Sequence, residues 1–287
     1  MSDTVHVQWF PGHMTKTKRK IQENLKLVDI VAEVIDSRVP VSSRNPDLDK
    51  LVQNKPRIII MNKSDISDPQ ENMKWEAYYK SFGFHLIQLD CKSGKGINKF
   101  LPMVKQALKE KIVRWESKGM TGRSIRIMIV GIPNVGKSSL INKLTSNSKI
   151  KIADRPGVTR GNQWFSIEKG FDLLDTPGVL WPKFEDKNVG EKLAFIGSIK
   201  DQVIDIEHLA IRFLEFIQLD YSKNLIDRYH LDGDVINMDS YDLLAMIARK
   251  RGMLMSGGKV DLERASIMIL DEFRGAKLGR ITLEKCD

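Results

Sequence analysis

The stretch Gly131–Ser138, read as G-I-P-N-V-G-K-S, constrains this chain more than any other. Two glycines followed by Lys and Ser sit between an apolar, strand-like run at 124–130 (S-I-R-I-M-I-V) and a helix-like segment at 137–145. That is the strand, loop and helix arrangement of a phosphate-binding loop. Gly131 and Gly136 let successive backbone N–H groups converge on phosphate oxygens, and the helix N-terminus that follows attracts anions. Lys137 is expected to reach the β- and γ-phosphates, and the Ser138 hydroxyl to hold Mg2+. Asn134, Val135, Gly136 and Ser139 complete the expected nucleotide contacts in this loop. A chance glycine turn is the competing reading, and the agreement between motif and flanks weighs against it.

A phosphate loop does not choose the base. Asn62-Lys63-Ser64-Asp65 follows the apolar run 57–61 (R-I-I-I-M), which places it at the carboxyl end of a strand. A carboxylate there accepts two hydrogen bonds from the N1–H and exocyclic amine of guanine. Adenine lacks that donor pair and would leave Asp65 unpaired, so the site discriminates strongly. Alone the tetrapeptide is a weak signal and reads equally as a solvated turn. Beside a phosphate loop it points to GTP and GDP, with Asn62, Lys63 and Asp65 as contacts.

The guanine motif precedes the phosphate loop, the reverse of an ordinary GTPase. Other segments fit the rotated order. Asp90–Gly96 (D-C-K-S-G-K-G) looks like the second guanine-contacting loop, with Cys91-Lys92 where Ser-Ala is usual. Thr159 in P-G-V-T-R looks like the switch I threonine, and Asp175-Thr176-Pro177-Gly178 like the Mg2+ and γ-phosphate motif that heads switch II. With Q-W-F-P-G-H-M at 8–14 and D-S-R-V-P-V-S-S-R at 36–44, the chain resembles the circularly permuted GTPases over nearly its whole length. Within them it resembles the ribosome biogenesis GTPase A family of bacterial large-subunit assembly factors. The resemblance implies GTP hydrolysis, Mg2+ held by Ser138, Thr159 and Asp175, and a ribosomal partner. It also implies a permuted P-loop GTPase domain of the three-layer, Rossmann-like α/β class, followed by a small all-α domain.

Composition agrees. The chain has 287 residues, enough for a GTPase domain of about 1–200 and a helical domain of about 201–287. No stretch approaches the length of a membrane helix, the first residues lack a signal-peptide pattern, and two cysteines make no disulfide framework. A cytoplasmic protein without a membrane partner is expected. The net charge of +9 arises from residues 1–204, while 205–287 carry a slight acidic excess. A basic GTPase half suggests a polyanionic partner such as RNA, against the alternative of plain solubilising charge.

Along the chain, helices are expected at 15–27, 46–54, 68–82, 97–115, 137–145 and 189–198, then at 206–219, 221–228, 239–249 and 261–273. Strands are expected at 28–35, 57–61, 85–89, 124–130, 163–167 and 171–174. Thr15–Leu27 carries Lys16, Lys18 and Lys20 on an exposed side, a candidate RNA surface. The basic end of the helix before the glycine turn at 252–258 is a second one, with Arg249, Lys250, Arg251 and Lys259. A solvated helix end favoured by the dipole competes with it.

The chemistry has a gap. Many GTPases carry a water-orienting Gln just after D-x-x-G, whereas this chain has Val179. His13, presented by the Pro11-Gly12 turn, is one candidate to orient water, though it could equally pack or bind RNA phosphate. Asn134 is another, since GTPases with Asn at that position resemble a class in which its oxygen helps hold K+. Lys137, Thr159 and the Gly178 N–H would neutralise transition-state charge. The expected function is a GTPase that binds the immature large subunit in its GTP form and leaves on hydrolysis. The alternatives are a GTP-dependent switch with a protein partner and, less supported, a tRNA-modifying enzyme.

Overall fold

The structure is a computed structural model and describes residues 19–52, 55–146, 164–174, 186–201 and 204–286. Its sheet is built from β-branched runs that are apolar on both faces, the signature of strands covered on both sides. β1 (Ile30–Asp36) is buried at all seven positions. It pairs in parallel with β2 (Arg57–Asn62) on one side and with β4 (Ile125–Val130) on the other. β3 (His85–Gln88) extends the sheet beyond β2. β6 (Phe171–Leu174) pairs parallel to β4, and β5 (Trp164–Glu168) closes the far edge antiparallel to β6. The order is β3-β2-β1-β4-β6-β5. Because β1 and β4 lie side by side, the loops at the carboxyl ends of β1, β2, β3 and β4 open on one edge, where an α/β sheet binds its ligand.

The described part of α1 covers residues 19–25, and α2 (Pro46–Val52), α3 (Pro69–Ser81), α6 (Lys137–Thr145) and α7 (Lys187–Phe195) fall near their expected positions. The long helix expected over 97–115 is divided. A 3-10 turn (Ile97–Lys99) leads into α4 (Phe100–Ala107), and α5 (Lys109–Ser117) follows after Leu108. The Leu108 N–H is shared between the Val104 and Lys105 carbonyls, so the turn tightens there and the axis is interrupted. Phe100, Val104 and Leu108 are buried, whereas Ile112 and Trp115, at the same apolar spacing, are only half-buried. Trp115 stacks instead against the Arg123 guanidinium, 4.3 Å from its ring centre.

The chain from 204 onward is helical: α8 (Ile206–Ile217), α9 (Ser222–Tyr229), α10 (Ser240–Lys250) and α11 (Leu262–Arg274). An aromatic seam joins them to α7. Phe195 of α7 meets Phe213 of α8 at 5.3 Å between centroids, and Phe213 meets Phe273 of α11 at 4.7 Å. The core is therefore continuous from the sheet into the helices. Segment 281–286 then turns back over the sheet's ligand edge. Ile281 N–H donates to Ile66 O at 3.3 Å and Leu283 N–H to Arg38 O at 2.8 Å. The Glu284 carboxylate accepts from the Val41 N–H at 2.6 Å, from Ser42 and from Lys192 of α7 at 3.2 Å. No helix among the described residues is long and apolar enough to cross a membrane.

The helices start on well-formed caps. The Asp205 carboxylate accepts from the Glu207 and His208 N–H groups at 3.1 and 3.0 Å. Asp205→Ala is expected to lower stability by about 1 kcal/mol. It should appear as a lower urea midpoint with unchanged slope, and GTP affinity should stay at its wild-type value.

Candidate nucleotide-binding site

Between β4 and α6 the chain adopts backbone conformations that only glycine takes without strain. Gly131 has φ 150° and a Cβ there would meet the Val34 carbonyl oxygen at 2.4 Å. Gly136 has φ 105°, and a Cβ there would meet Asn62 Nδ2 at 2.1 Å. The second contact is informative, because it presses the guanine motif against the phosphate loop. Gly136 is also the N-cap of α6 and offers no side chain to the first-turn N–H groups. Those donors and the helix dipole point at the loop, which suits an anion. Lys137 is buried, and its ammonium donates to Ile132 O at 2.7 Å, across the loop. A compact ammonium with three donors can hold that carbonyl and phosphate oxygens at once.

Asn62 joins three segments. Its Nδ2 donates to Val135 O at 2.7 Å, and its Oδ1 accepts from the Cys91 N–H at 3.0 Å. The phosphate loop, the guanine motif and the second base loop are thereby fixed to one amide. Asp90 shapes the last of these, accepting from the Lys92 and Ser93 N–H groups at 2.8 and 3.2 Å. Burial opposes ionisation of Asp90, but these hydrogen bonds prevail and hold its carboxyl below the usual range. Lys63 has φ 61°, and its ammonium lies 2.8 Å from Asp36. Asp65 is half-buried beside it. The expected base contacts therefore share one edge of the sheet. The Cys91 side chain is turned into the core at 4 % exposure, and its backbone N–H is taken by Asn62, so this residue shapes the loop rather than offering its thiol to the base.

The sequence reading missed how the loop is held from outside. Asn134, at φ 63°, donates through its amide to the Gly197 carbonyl, and the Ser198 hydroxyl donates to Pro133 O at 2.7 Å. Gly197 and Ser198 follow α7. The end of α7 is in turn clamped by Arg274 of α11, which donates to Phe195 O at 3.0 Å and Ala194 O at 2.9 Å. A cation suits a helix C-terminus.

Of the Mg2+ ligands expected, Thr159 and Asp175 lie outside the described residues, as do His13, Lys16, Lys18, Gly178 and Val179. Ser138 is described. It is exposed on the first turn of α6, beside Lys137, and its hydroxyl is the hard oxygen donor that Mg2+ takes. Ser139 is exposed next to it, and Val135 is buried and contributes its backbone. Lys20 is half-buried. The basic cluster at the end of α10 is partly neutralised. Lys250 Nζ lies 2.6 Å from Asp232, and Arg251 lies over Tyr229 and 3.6 Å from Glu272. Arg249 and Lys259 are exposed. The four do not form a uniform basic patch, because acidic and aromatic neighbours in the helical region take two of them.

Comparison with known proteins agrees with this geometry. A family described as 50S ribosome-binding GTPase matches residues 126–241. Ribosome biogenesis GTPase A of Bacillus cereus is 45% identical over 278 residues, covering 97% of this chain and 93% of that one. This chain belongs to the ribosome biogenesis GTPase A family. The protein of that name from Priestia megaterium is 46% identical over 279 residues, with 97% and 96% covered. The GDP-bound structure of YlqF superposes with a TM-score of 0.69 at 30% identity, covering 93% of this chain and 99% of the other. GNP-bound YlqF from T. maritima gives 0.68, also at 30% identity, with 95% and 99% covered. The chain is thus a circularly permuted P-loop GTPase, and it hydrolyses GTP to GDP and phosphate.

GTPases of this family generally work with Mg2+, which neutralises charge on the β- and γ-phosphates when bound. The protein's own share is position. The loop N–H groups and Lys137 would orient the phosphate chain, Ser138 would help hold the metal, and Asn62 fixes the second base loop relative to the phosphate loop. Orientation and preorganised charge are what phosphoryl transfer asks of a protein.

Cys91 offers a direct test of the second base loop. Burial, reinforced by the charges of Asp90 and Asp65, pushes its thiol up to about 12. The thiolate is therefore scarce at pH 8, and the neutral thiol is a poor nucleophile. In native protein treated with iodoacetamide at pH 8, Cys286 is expected to be alkylated well before Cys91. Peptide mass mapping checks this, and early labelling of Cys91 would contradict the packing of that loop.

Proposed function

We propose that the protein is a ribosome assembly factor that binds the immature large ribosomal subunit in its GTP form and is released by hydrolysis. The region of about 1–200 acts as the GTPase and the helices from about 201 as part of the ribosome-facing surface. The observation that carries the reading is identity of 43–46% over nearly the full length to proteins named ribosome biogenesis GTPase A. The positive charge of the GTPase half supports it, since a polyanionic partner is favoured over an acidic one. Lys16, Lys18, Lys20, Arg249 and Lys259 are its candidate RNA contacts, joined more weakly by Lys250 and Arg251. The expected workplace is the cytoplasm.

The hydrolytic trigger is His13, whose neutral imidazole orients water in place of the missing Gln. K+ assists, held by Asn134. The Asn134 amide nitrogen is engaged by Gly197, so its oxygen is the atom left to meet a cation.

The test is GTP turnover measured with immature large subunits, with mature ones and with none. Stimulation by immature subunits, with co-sedimentation in a non-hydrolysable GTP analogue and loss of it in GDP, is the expected result. Turnover indifferent to both subunits would favour a protein partner instead. In the same assay His13→Ala is expected to cut stimulated turnover at least about tenfold, with GTP affinity unchanged. Replacing KCl by NaCl at equal ionic strength is expected to slow the wild type, and Asn134→Ala to abolish that difference. A wild-type rate indifferent to the swap would leave Asn134 as a structural latch alone.

A further inference from the structure

Asp36 ends β1 directly opposite Asn62 in the parallel register. It is fully buried, yet it carries a charge that two cations share. Its Oδ1 accepts from the Arg38 N–H at 3.0 Å and Arg38 Nε at 2.9 Å. Its Oδ2 accepts from Arg38 Nη2 at 2.7 Å and from Lys63 Nζ at 2.8 Å. A buried carboxylate with four charge-assisted or backbone donors is fully satisfied and immobile. We propose that Asp36 is a positioning residue for guanine-nucleotide binding, acting through Lys63 by fixing its ammonium at the carboxyl end of β1.

Three features support this. Lys63 is held at φ 61°, where a residue with a Cβ is strained, and such strain persists only when neighbours over-determine it. Asn62 pins one side of Lys63 through Val135 and Cys91, and Asp36 pins its side chain. Burial works against the charged form of Lys63, and Asp36 is the foremost group that counters it. The cluster has two cations on one anion, so it keeps a net positive charge beside a site for a polyanionic ligand.

Arg38 makes the anchor rigid. It is 1 % exposed, its guanidinium carbon lies 4.9 Å from the Phe273 ring centre of α11, and its carbonyl accepts from Leu283 N–H. Asp36 therefore cannot follow a displaced Lys63. The inference rests on reading residues 62–65 as the guanine motif, and the test separates the two.

GDP affinity is measured by titration for the wild type, Asp36→Asn, Lys63→Ala and the double variant, with Asp65→Asn alongside. Asp36→Asn is expected to weaken GDP binding by about ten- to a hundredfold, the loss typical of a hydrogen bond to a charged group. In the Lys63→Ala background it should have no further effect, because the two residues act as one unit. An equal loss in both backgrounds would show that Asp36 does not act through Lys63 and overturn the proposal. Wild-type affinity in Asp36→Asn would do the same. Asp36→Asn leaves the buried Arg38 and the half-buried Lys63 without their anion and could misfold. The pair Asp36→Asn with Arg38→Met removes one cation with the anion and restores the cluster's net charge. If folded by circular dichroism, this pair should bind GDP as weakly as Lys63→Ala, and wild-type affinity in it would also refute the idea. Wild-type affinity in Asp65→Asn would instead overturn the guanine motif itself.

Discussion

The Asn62 side chain is the interaction on which the ligand edge depends. A primary amide offers a donor and an acceptor on one planar group, and here each is used across a different chain crossing. One hydrogen bond reaches the phosphate loop and the other reaches the second base loop. Both bonds are buried, so losing either partner would leave an unpaired polar group and cost more than the bond itself contributes. Gly136 must lack a Cβ for this approach to occur at all. The register of β1 between β2 and β4 brings the segments within reach, and the amide sets their final separation.

Permutation changes what the helices do. The turn after α7 is bonded to the phosphate loop through Asn134 and Ser198, and α11 grips the end of α7 through Arg274. α11 is therefore linked to the phosphate loop through two short steps of hydrogen bonding. A second route runs from Phe273 through Arg38 and Asp36 to Lys63, at the base. Both ends of the candidate nucleotide site are thus in contact with residues that α11 holds.

Much of this was legible in the residues, and the legible part is local. The phosphate loop and N-K-S-D are consecutive patterns whose chemistry requires their spacing, and the β-branched runs before them mark the strands. The helix starts expected at 206, 239 and 261 fall within one residue of the observed ones, where Asp205, Asp239 and Asp261 prove to be side-chain caps. What escaped was pairing over long separations. Nothing near Asn134 in sequence signals Gly197, and nothing near Ser42 signals Glu284. The Asp36–Arg38 pair was visible as D-S-R, but its partner Lys63 belongs to another strand end, so its role required the register. The break at Leu108 was hidden because apolar spacing continues through it while the backbone turn changes. The basic end of α10 misled for a related reason. Charge read along the chain cannot show Asp232 and Glu272 folding back onto Lys250 and Arg251.

The segment 281–286 has a consequence for how the protein comes into being. Chains are made from the amino end, so the loop after the guanine motif emerges early while the segment that ties it down emerges late. Until Ile281, Leu283 and Glu284 arrive, the carbonyls of Ile66 and Arg38 and the N–H groups of Val41 and Ser42 lack the partners they have in the finished fold. The loops that follow β1 and β2 therefore reach their finished hydrogen bonding only after residues 281–284 have been made.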